Sequence, residues 1–444
     1  MTLAGGNPKL ENRRSMKKLF SLLAMLCLLA AGPAFADEPL EKSEVLPEST
    51  QPRHVRITWI ENPQTEAVIS WSTTLPSQRN QVAYDSISRD GELRLYPARA
   101  REVHSGEYTR SRDDLAYGEP PLYYHHAHLT GLKPASTYYF VVASEGDVSQ
   151  EFHFVTAPDD NSDLSILFGG DSRIGGNEPY LHKDRRNMNR RMRALAEEFD
   201  DIIAFCHGGD FYQRAELRYM RPWLTDHELT ITESGRVIPL IPVRGNHDRA
   251  IGFEEMFWWP DMENDYYFVT QMTGEIAFVT LNTEISLAGD QRRWLDLRLR
   301  ELRPANRWLY VQYHKPSYPS VRGWRDGEDR RHNFVPLFEQ HQVDIVTESH
   351  DHALKRTLPI LEGGPHERGI TYIGDGGLGV PQRSPDPSRW YLQEPGMTQS
   401  VHHVHVLEFT QETLRGRAFG MDGEVLDDFT IAVQADVLET AAAE

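Results

Sequence analysis

The sequence predicts two domains: an all-β sandwich, then an α/β layered domain of β-sheets flanked by helices. Three observations carry this. Between about Pro52 and Thr156, short alternating strand patterns recur with turn residues between them. From Asp163 onward, apolar strand-like runs alternate with amphipathic helical stretches. Five of those runs end in loops carrying Asp, Asn or His, the place where open α/β sheets collect ligand-binding groups. A chain of 444 residues with 39% hydrophobic content can bury a core in each domain.

The boundaries read as follows: residues 1–36 a signal peptide, 37–51 an acidic Pro-containing linker, 52–157 the sandwich, 163–430 the layered domain, and 431–444 a tail. Lys17-Lys18 precede the apolar run Leu19 to Ala30, and Ala34-Phe35-Ala36 supplies a small-residue cleavage pattern before Asp37. That run is short for a membrane span, and no later stretch is long and apolar enough for one. The expectation is export, to a periplasm or outside the cell, with Arg13-Arg14 leaving a twin-arginine route open. Lys+Arg of 47 against Asp+Glu of 66 gives a net charge of −19, which argues against nucleic acid as the partner. A small phosphorylated substrate remains compatible, because a local cationic site overrides the global field at short range. Cys206 is the one cysteine beyond residue 36. No disulfide framework is available, and this thiol reads as a buried small apolar residue.

In the sandwich, His54-Val55-Arg56-Ile57-Thr58-Trp59 and Glu66-Ala67-Val68-Ile69-Ser70-Trp71 alternate as strands. Tyr138 to Val142 and Glu151 to Val155 follow. The segment from His126 through Leu132-Lys133-Pro134 to Thr137-Tyr138-Tyr139 resembles the fibronectin type III signature, including its late-strand tyrosine. His126 and His128 share one face of their strand and His125 takes the other, a pattern more often of a solvated face than of a metal site.

The layered domain begins with Leu164–Phe168, running into Gly169-Gly170-Asp171-Ser172-Arg173. A helix is expected over 184–199, where Met188, Met192, Leu195, Ala196 and Phe199 share a face. Ile202–Phe205 ends in His207-Gly208-Gly209-Asp210, and the run 237–243 ends in Arg244-Gly245-Asn246-His247-Asp248. Ile276–Asn282 is another strand, 291–302 a helix closed by Pro304, and Trp308–Gln312 a strand delivering His314. A short helix over 334–341 precedes Val343–Val346, which delivers Ser349-His350-Asp351-His352. The tail from Val401 to Phe429 reads as closing strands.

Asp171, Asp210, Asn246 with His247, His314, and His350 with His352 therefore all follow strands. A mixture of carboxylate, amide oxygen and imidazole suits Zn, Fe or Mn. Two such ions about 3.5–4 Å apart can clamp a phosphate and activate water for in-line attack.

In order and spacing these motifs resemble those of the calcineurin-like metallophosphoesterases, G-D-x-H, G-D-x-x, G-N-H-[DE], a lone H and G-H-x-H. The preceding fibronectin-like domain makes purple acid phosphatases the nearest in build. The resemblance implies a dinuclear centre of two divalent or trivalent ions (Fe, Zn or Mn). By it, Asp210 is the bridging carboxylate, Asp171 and His352 hold the first metal, and Asn246, His314 and His350 hold the second. His247 is then the non-ligand acid near the leaving group, and Asp248 orients it.

Two positions depart from the pattern. Arg173 stands where ordinary members have a histidine ligand; a guanidinium cannot ligate a metal but can grip a phosphate oxygen. Purple acid phosphatases supply a tyrosine three residues after the bridging aspartate; here that position is Gln213, and Tyr212, one place early, is the nearest phenol and the candidate metal ligand in its stead. Lys315 lies near a bound anion or in solvent, Ser349 replaces a glycine, and Gly374-Asp375-Gly376-Gly377 reads as a structural turn.

The leading reading is an exported, acid phosphatase-like phosphomonoesterase in which His247 donates the leaving-group proton. A phosphodiesterase or nucleotidase shares the same ligand set, and a non-catalytic binding protein with a degraded first metal site is the third reading. Specificity is expected from the loops 174–184, 212–236, 250–265 and 317–332, where Trp258, Trp259 and Trp324 are candidates to stack on an aromatic leaving group.

Overall fold

The computed structural model describes residues 47–173, 183–260 and 265–433. The signal-peptide reading, residues 37–46 of the linker, 174–182 and 261–264 of the specificity loops, and 434–444 of the tail lie outside the described residues.

The first domain contains β1 (Arg53–Thr58), β2 (Ala67–Thr73), β3 (Asn80–Asp85), β4 (Ala98–Arg99), β5 (His104–Glu107), β6 (Tyr123–Leu129), β7 (Thr137–Ser144), β8 (Asp147–Val148) and β9 (Phe152–Val155). One face orders as β1-β2-β6-β5, the other as β4-β3-β7-β8 with β9 also on β7. Trp71, Phe140, Val142 and Phe154 fill the space between them. The Tyr138 hydroxyl accepts from the Lys133 N–H at 2.9 Å, the corner expected of a late-strand tyrosine in such sandwiches.

The second domain follows with β10 (Leu164–Gly169), β11 (Ile202–His207), β12 (Leu240–Pro242), β13 (Phe268–Gln271), β14 (Ile276–Thr280), β15 (Trp308–Gln312) and β16 (Ile345–Thr347). Then come β17 (Leu354–Arg356), β18 (Ile360–Leu361), β19 (Gly364–Pro365), β20 (Thr371–Gly374), β21 (Met397–Gln399), β22 (His403–Phe409), β23 (Thr413–Gly420) and β24 (Val425–Ala432). Two mixed sheets face each other. One orders β24-β23-β22-β10-β11-β12, the other β13-β14-β15-β16-β20-β17-β21. Ile166, Phe168, Phe278, Trp308, Tyr310 and Phe409 pack between them. Helices Lys183–Glu198, Leu217–His227 and Ala250–Met256 cover the first sheet, and Asp290–Leu302 with Val335–Gln340 cover the second. The layers are helix, sheet, sheet, helix.

The two domains share a sheet. β1 pairs in parallel with β12 at Thr58 and Leu240, so the run continues β12-β1-β2-β6-β5. The helix Leu217–His227, in a stretch read from the sequence as loop, depends on this junction. It contains Pro222 and its Glu216 N-cap makes no side-chain capping bond. Its first N–H groups are capped instead by Asp114 of the sandwich, at 3.0 Å to Leu217 and 3.1 Å to Arg218. A cap borrowed from a hundred residues upstream leaves no local signal.

Other elements differ from the sequence reading for similar reasons. The expected strand 237–243 is ordered only over Leu240–Pro242, because Pro239 and Pro242 have no N–H to donate. His125 and His126 do not decorate a solvated face: both are buried, His125 between Ser105 and Thr73, His126 between Ser70 and the Glu255 carbonyl. Their partners are hydroxyls and a carbonyl, not a metal cluster. Trp258 stacks on His104 with ring centroids 5.1 Å apart, and Trp259 lies against His128, so both knit the domains together instead of offering a free face to a leaving group. Trp324 remains about half exposed, with the Arg331 guanidinium 3.5 Å over its ring.

Candidate metal centre

The strand registers bring the sequence motifs to one level. Gly169 pairs with His207 and His207 with Pro242, so the turns after β10, β11 and β12 leave the first sheet side by side. Across from them, Gln312 pairs with Thr347, placing His314 beside the 348–352 loop of the second sheet. Backbone bonds lock the turns: Asp171 N–H to the Gly209 carbonyl at 2.9 Å, Arg173 N–H to the Asp210 carbonyl at 3.0 Å, and Ser349 N–H to the His314 carbonyl at 2.9 Å. Asp171, Asp210, His350 and His352 all adopt positive φ, at 55°, 57°, 81° and 61°. Non-glycine residues persist there only when their surroundings hold them, and such residues gather at functional sites.

Close approach fixes the glycines around them. A Cβ at Gly245 would fall 2.3 Å from both the Asp210 N and its Oδ1, and one at Gly376 2.3 Å from Asp171 Oδ2. The Gly374–Gly377 segment is thus a close-packed wall against Asp171, and the Ser349 hydroxyl fills the space above Gly170 and Gly208.

The side chains converge in two groups. His314 Nε2 lies 3.1 Å from Asn246 Oδ1, 3.2 Å from His350 Nδ1 and 3.4 Å from Asp210 Oδ1. Ligand-capable atoms of Asp210, His314 and His350 all fall within 4.8 Å of one another, the one such group found among the described residues. Beside it, His352 Nε2 lies 3.1 Å from Asp171 Oδ1. Each imidazole is aimed by its other nitrogen or its backbone: His314 Nδ1 faces the Gly208 carbonyl at 2.8 Å, His352 Nδ1 the Pro381 carbonyl at 3.2 Å, and the His350 N–H donates to Asp171 Oδ2 at 2.7 Å.

The electrostatics ask for a cation. Burial favours neutral His314, but the Asp210 carboxylate, followed by Asp171 and Glu284, outweighs it and lifts the imidazole to about 10. Asp210 is held below the usual carboxylate range by His314 and His247 despite its burial. Burial and the His314 charge push His350 well down. Asp171 Oδ1 and Asp210 Oδ2 are buried with no hydrogen-bond partner, and a buried carboxylate oxygen left so is costly unless a cation sits against it. The donor set of carboxylate, amide oxygen and imidazole fits a borderline metal ion.

His247 lies at the edge of this cluster. Its N–H donates to Asp210 Oδ1 at 2.9 Å, its Nδ1 faces the Gln213 carbonyl at 2.8 Å, and its Nε2 stands 3.9 Å from Asp210 Oδ2. Burial lowers its pKa, with Asp210 pulling the other way. Gln213, not Asp248, therefore orients this imidazole. The role expected of Asp248 is corrected: its carboxylate accepts from the N–H groups of Asp210 (2.7 Å), Gly245 (2.9 Å) and Phe211 (3.0 Å) and ties the second and third motif turns together.

Tyr212 is also corrected. Its ring is fully buried in the core under the Ala250–Met256 helix, and its hydroxyl, with no hydrogen-bond partner, points at Gly252. Burial drives the phenol well above its ordinary pKa, the opposite of what a tyrosinate ligand needs. Asp210 takes a positive φ, and after it Phe211 stacks on His207 at 3.8 Å while Tyr212 enters the core. The two departures from the family pattern instead meet each other: Arg173 Nη1 donates to Gln213 Oε1, and Arg173 Nε lies 3.5 Å from Asp210 Oδ2.

Sequence reasoning missed Gln213 as a positioning group, and missed Arg322 and Arg383. Arg322 Nη1 donates to the His350 carbonyl and to Asp351 Oδ1 at 2.8 Å; Arg383 Nη1 donates to the same carbonyl at 3.2 Å. Arg383 lies in a Pro- and Ser-rich loop with no motif, so nothing local marks it. Lys315, expected near a bound anion or in solvent, is ion-paired with Glu284 at 2.8 Å.

Comparison with known proteins agrees with this build. Residues 52–156 match the purple acid phosphatase N-terminal domain, and residues 181–354 match the calcineurin-like phosphoesterase domain. The chain is 24% identical over 367 residues to a protein of Mycobacterium tuberculosis, covering 73% of this chain and 63% of that relative's length. It is 24% identical over 345 residues to the purple acid phosphatase of Glycine max, covering 72% and 69%. Among solved structures, a purple acid phosphatase from yellow lupin seeds superposes with a TM-score of 0.71 at 19% identity, covering 88% of this chain and 76% of that one. The domain match identifies residues 181–354 as a calcineurin-like phosphoesterase domain. The N-terminal domain makes the chain, more narrowly, purple acid phosphatase-like.

Proposed function

We propose that the protein is an exported, metal-dependent phosphoester hydrolase with a dinuclear centre, acting on phosphate monoesters. The observation that carries the reading is the pair of buried carboxylates, Asp171 and Asp210, each with one oxygen that accepts no hydrogen bond, set from the first sheet against the imidazoles of His314 and His352 from the second. Asp171 and His352 would hold one ion and Asn246, His314 and His350 the other, with the Asp210 carboxylate available to both. When bound, the ions supply charge stabilisation for the phosphate and lower the pKa of a water, and Fe, Zn and Mn all suit the donors.

The chain's own residues do the rest. The Arg173 guanidinium, fixed by Gln213 beside Asp210, grips a phosphate oxygen and spreads charge as the phosphorus–oxygen bond breaks. His247, with Nδ1 held by the Gln213 carbonyl, presents Nε2 to the cleft and gives its proton to the departing oxygen. The two interlocked turns hold these groups within a fixed geometry, so little reorganisation accompanies reaction. Export rests on the Lys17 to Ala36 segment; among the described residues no helix is long and apolar enough to cross a membrane.

The test is protein reconstituted separately with Fe, Zn or Mn and assayed on p-nitrophenyl and bis-p-nitrophenyl phosphate, with metal content measured in parallel. The expected outcome is close to two ions per chain and faster monoester turnover, both lost in Asp210→Asn. Metal-free protein that stays inactive under every loading condition sinks the reading, and faster diester turnover replaces it with the phosphodiesterase.

A further inference from the structure

At the His350-Asp351-His352 loop, two guanidiniums converge on one backbone carbonyl. Arg322 and Arg383 each donate Nη1 to the His350 oxygen, at 2.5 and 3.2 Å. The Arg383 main chain is pinned there as well, its N–H donating to the His352 carbonyl at 2.9 Å. One carboxylate, Asp351, serves Arg322 at 2.8 Å. No carboxylate among the described residues pairs with Arg383. Two like charges brought to one acceptor, with Asp351 bonded to Arg322 and only the longer-range fields of Asp171 and Asp351 reaching Arg383, repel, and an anion joining them relieves this. Arg173 adds a third guanidinium on the facing loop, and burial together with Arg322 and Arg173 holds Arg383 below the ordinary arginine range. All this lies in a chain of net charge −19, where chance would place acids. Arg173 is engaged at Asp210, where the scissile phosphate is expected, which leaves the Arg322–Arg383 pair at the His350 carbonyl for a different group of the substrate.

From this convergence we infer that the site selects phosphate monoesters whose alcohol portion carries a second anionic group, a carboxylate or a further phosphate, held by Arg383 with Arg322. The inference rests on the hydrolase reading for its scissile phosphate and is tested by binding, so that the two fail separately. Affinities of the metal-loaded protein are measured by calorimetry for propylphosphonate, 3-phosphonopropionate and 1,3-propanediphosphonate. The parent is expected to favour at least one doubly anionic ligand over propylphosphonate by about tenfold or more, the scale of a charge-assisted hydrogen bond. That ratio is expected to collapse towards unity in Arg383→Gln and to recover in part in Arg383→Lys; the arm that responds says whether carboxylate or phosphate is recognised. A parent ratio near one, or a ratio that Arg383→Gln and Arg322→Gln both leave intact, overturns the inference. Absence of p-nitrophenyl phosphate turnover in the same preparation overturns the hydrolase reading instead, while a ratio that depends on Arg383 sustains the second-anion site.

Discussion

Replacing Asp248 separates two roles for this residue. Its two oxygens take three buried N–H bonds, from Asp210, Gly245 and Phe211, while the His247 ring bonds to the Gln213 carbonyl instead. Asp248→Ala leaves those three donors without an acceptor in a fully buried place. At about 1–3 kcal/mol per orphaned group, less what is regained by removing repulsion from the Asp210 charge, the expected cost is about 2–4 kcal/mol. Asp248→Asn behaves differently. Its amide oxygen can keep the Asp210 and Gly245 bonds while its NH2 meets the Phe211 N–H, so one bond is lost and one like-charge contact is relieved, a net cost of about 1 kcal/mol or less. Urea unfolding of metal-free parent and variants measures this order, with parent and Asn close together and Ala well below. A pH–rate profile of the metal-loaded Asn variant adds the second readout, an acid limb unmoved from the parent's. An Ala variant as stable as the parent, or an Asn variant whose acid limb shifts, refutes the reasoning and returns Asp248 to orienting His247.

Tyr212→Phe removes a buried hydroxyl with no partner, and is expected to leave metal content and turnover at parental levels with stability equal or slightly higher; a variant that loses one metal ion restores Tyr212 as a ligand. Gly245→Ala drives a methyl to 2.3 Å from Asp210 and is expected to lower metal stoichiometry measured by atomic emission while circular dichroism shows an unchanged fold; full metal loading counts against the packing argument. Burial holds His125 at about 4 and His227 at about 3, below the value of about 6.5 they take when unfolded. In that window the unfolded chain binds more protons, so stability is whole above pH 6.5 and is lost as pH falls through about 4 for His125 and about 3 for His227, on the order of 3 and 5 kcal/mol at the limit. A urea midpoint that stays constant between pH 7.5 and pH 4.5 contradicts this.

The sequence by itself determined the order of strands and the residues that end them, because strand periodicity and ligand chemistry are local: β10, β11, β15 and β16 with Asp171, Asp210, His314 and His350 are legible within a few residues each. It also exposed the two departures, Arg173 and Gln213, but not that they bond to each other. The helix Leu217–His227 was hidden because its cap, Asp114, belongs to the other domain. Tyr212 and Asp248 were misplaced because a side chain's direction depends on backbone conformation, such as the positive φ at Asp210, that no spacing rule contains. Arg322 and Arg383 stayed invisible until folding brought both to the carbonyl of His350. Residue types and the strands that carry them follow from near neighbours along the chain; which groups face one another depends on backbone turns and long-range contacts, and those the tertiary structure alone decided.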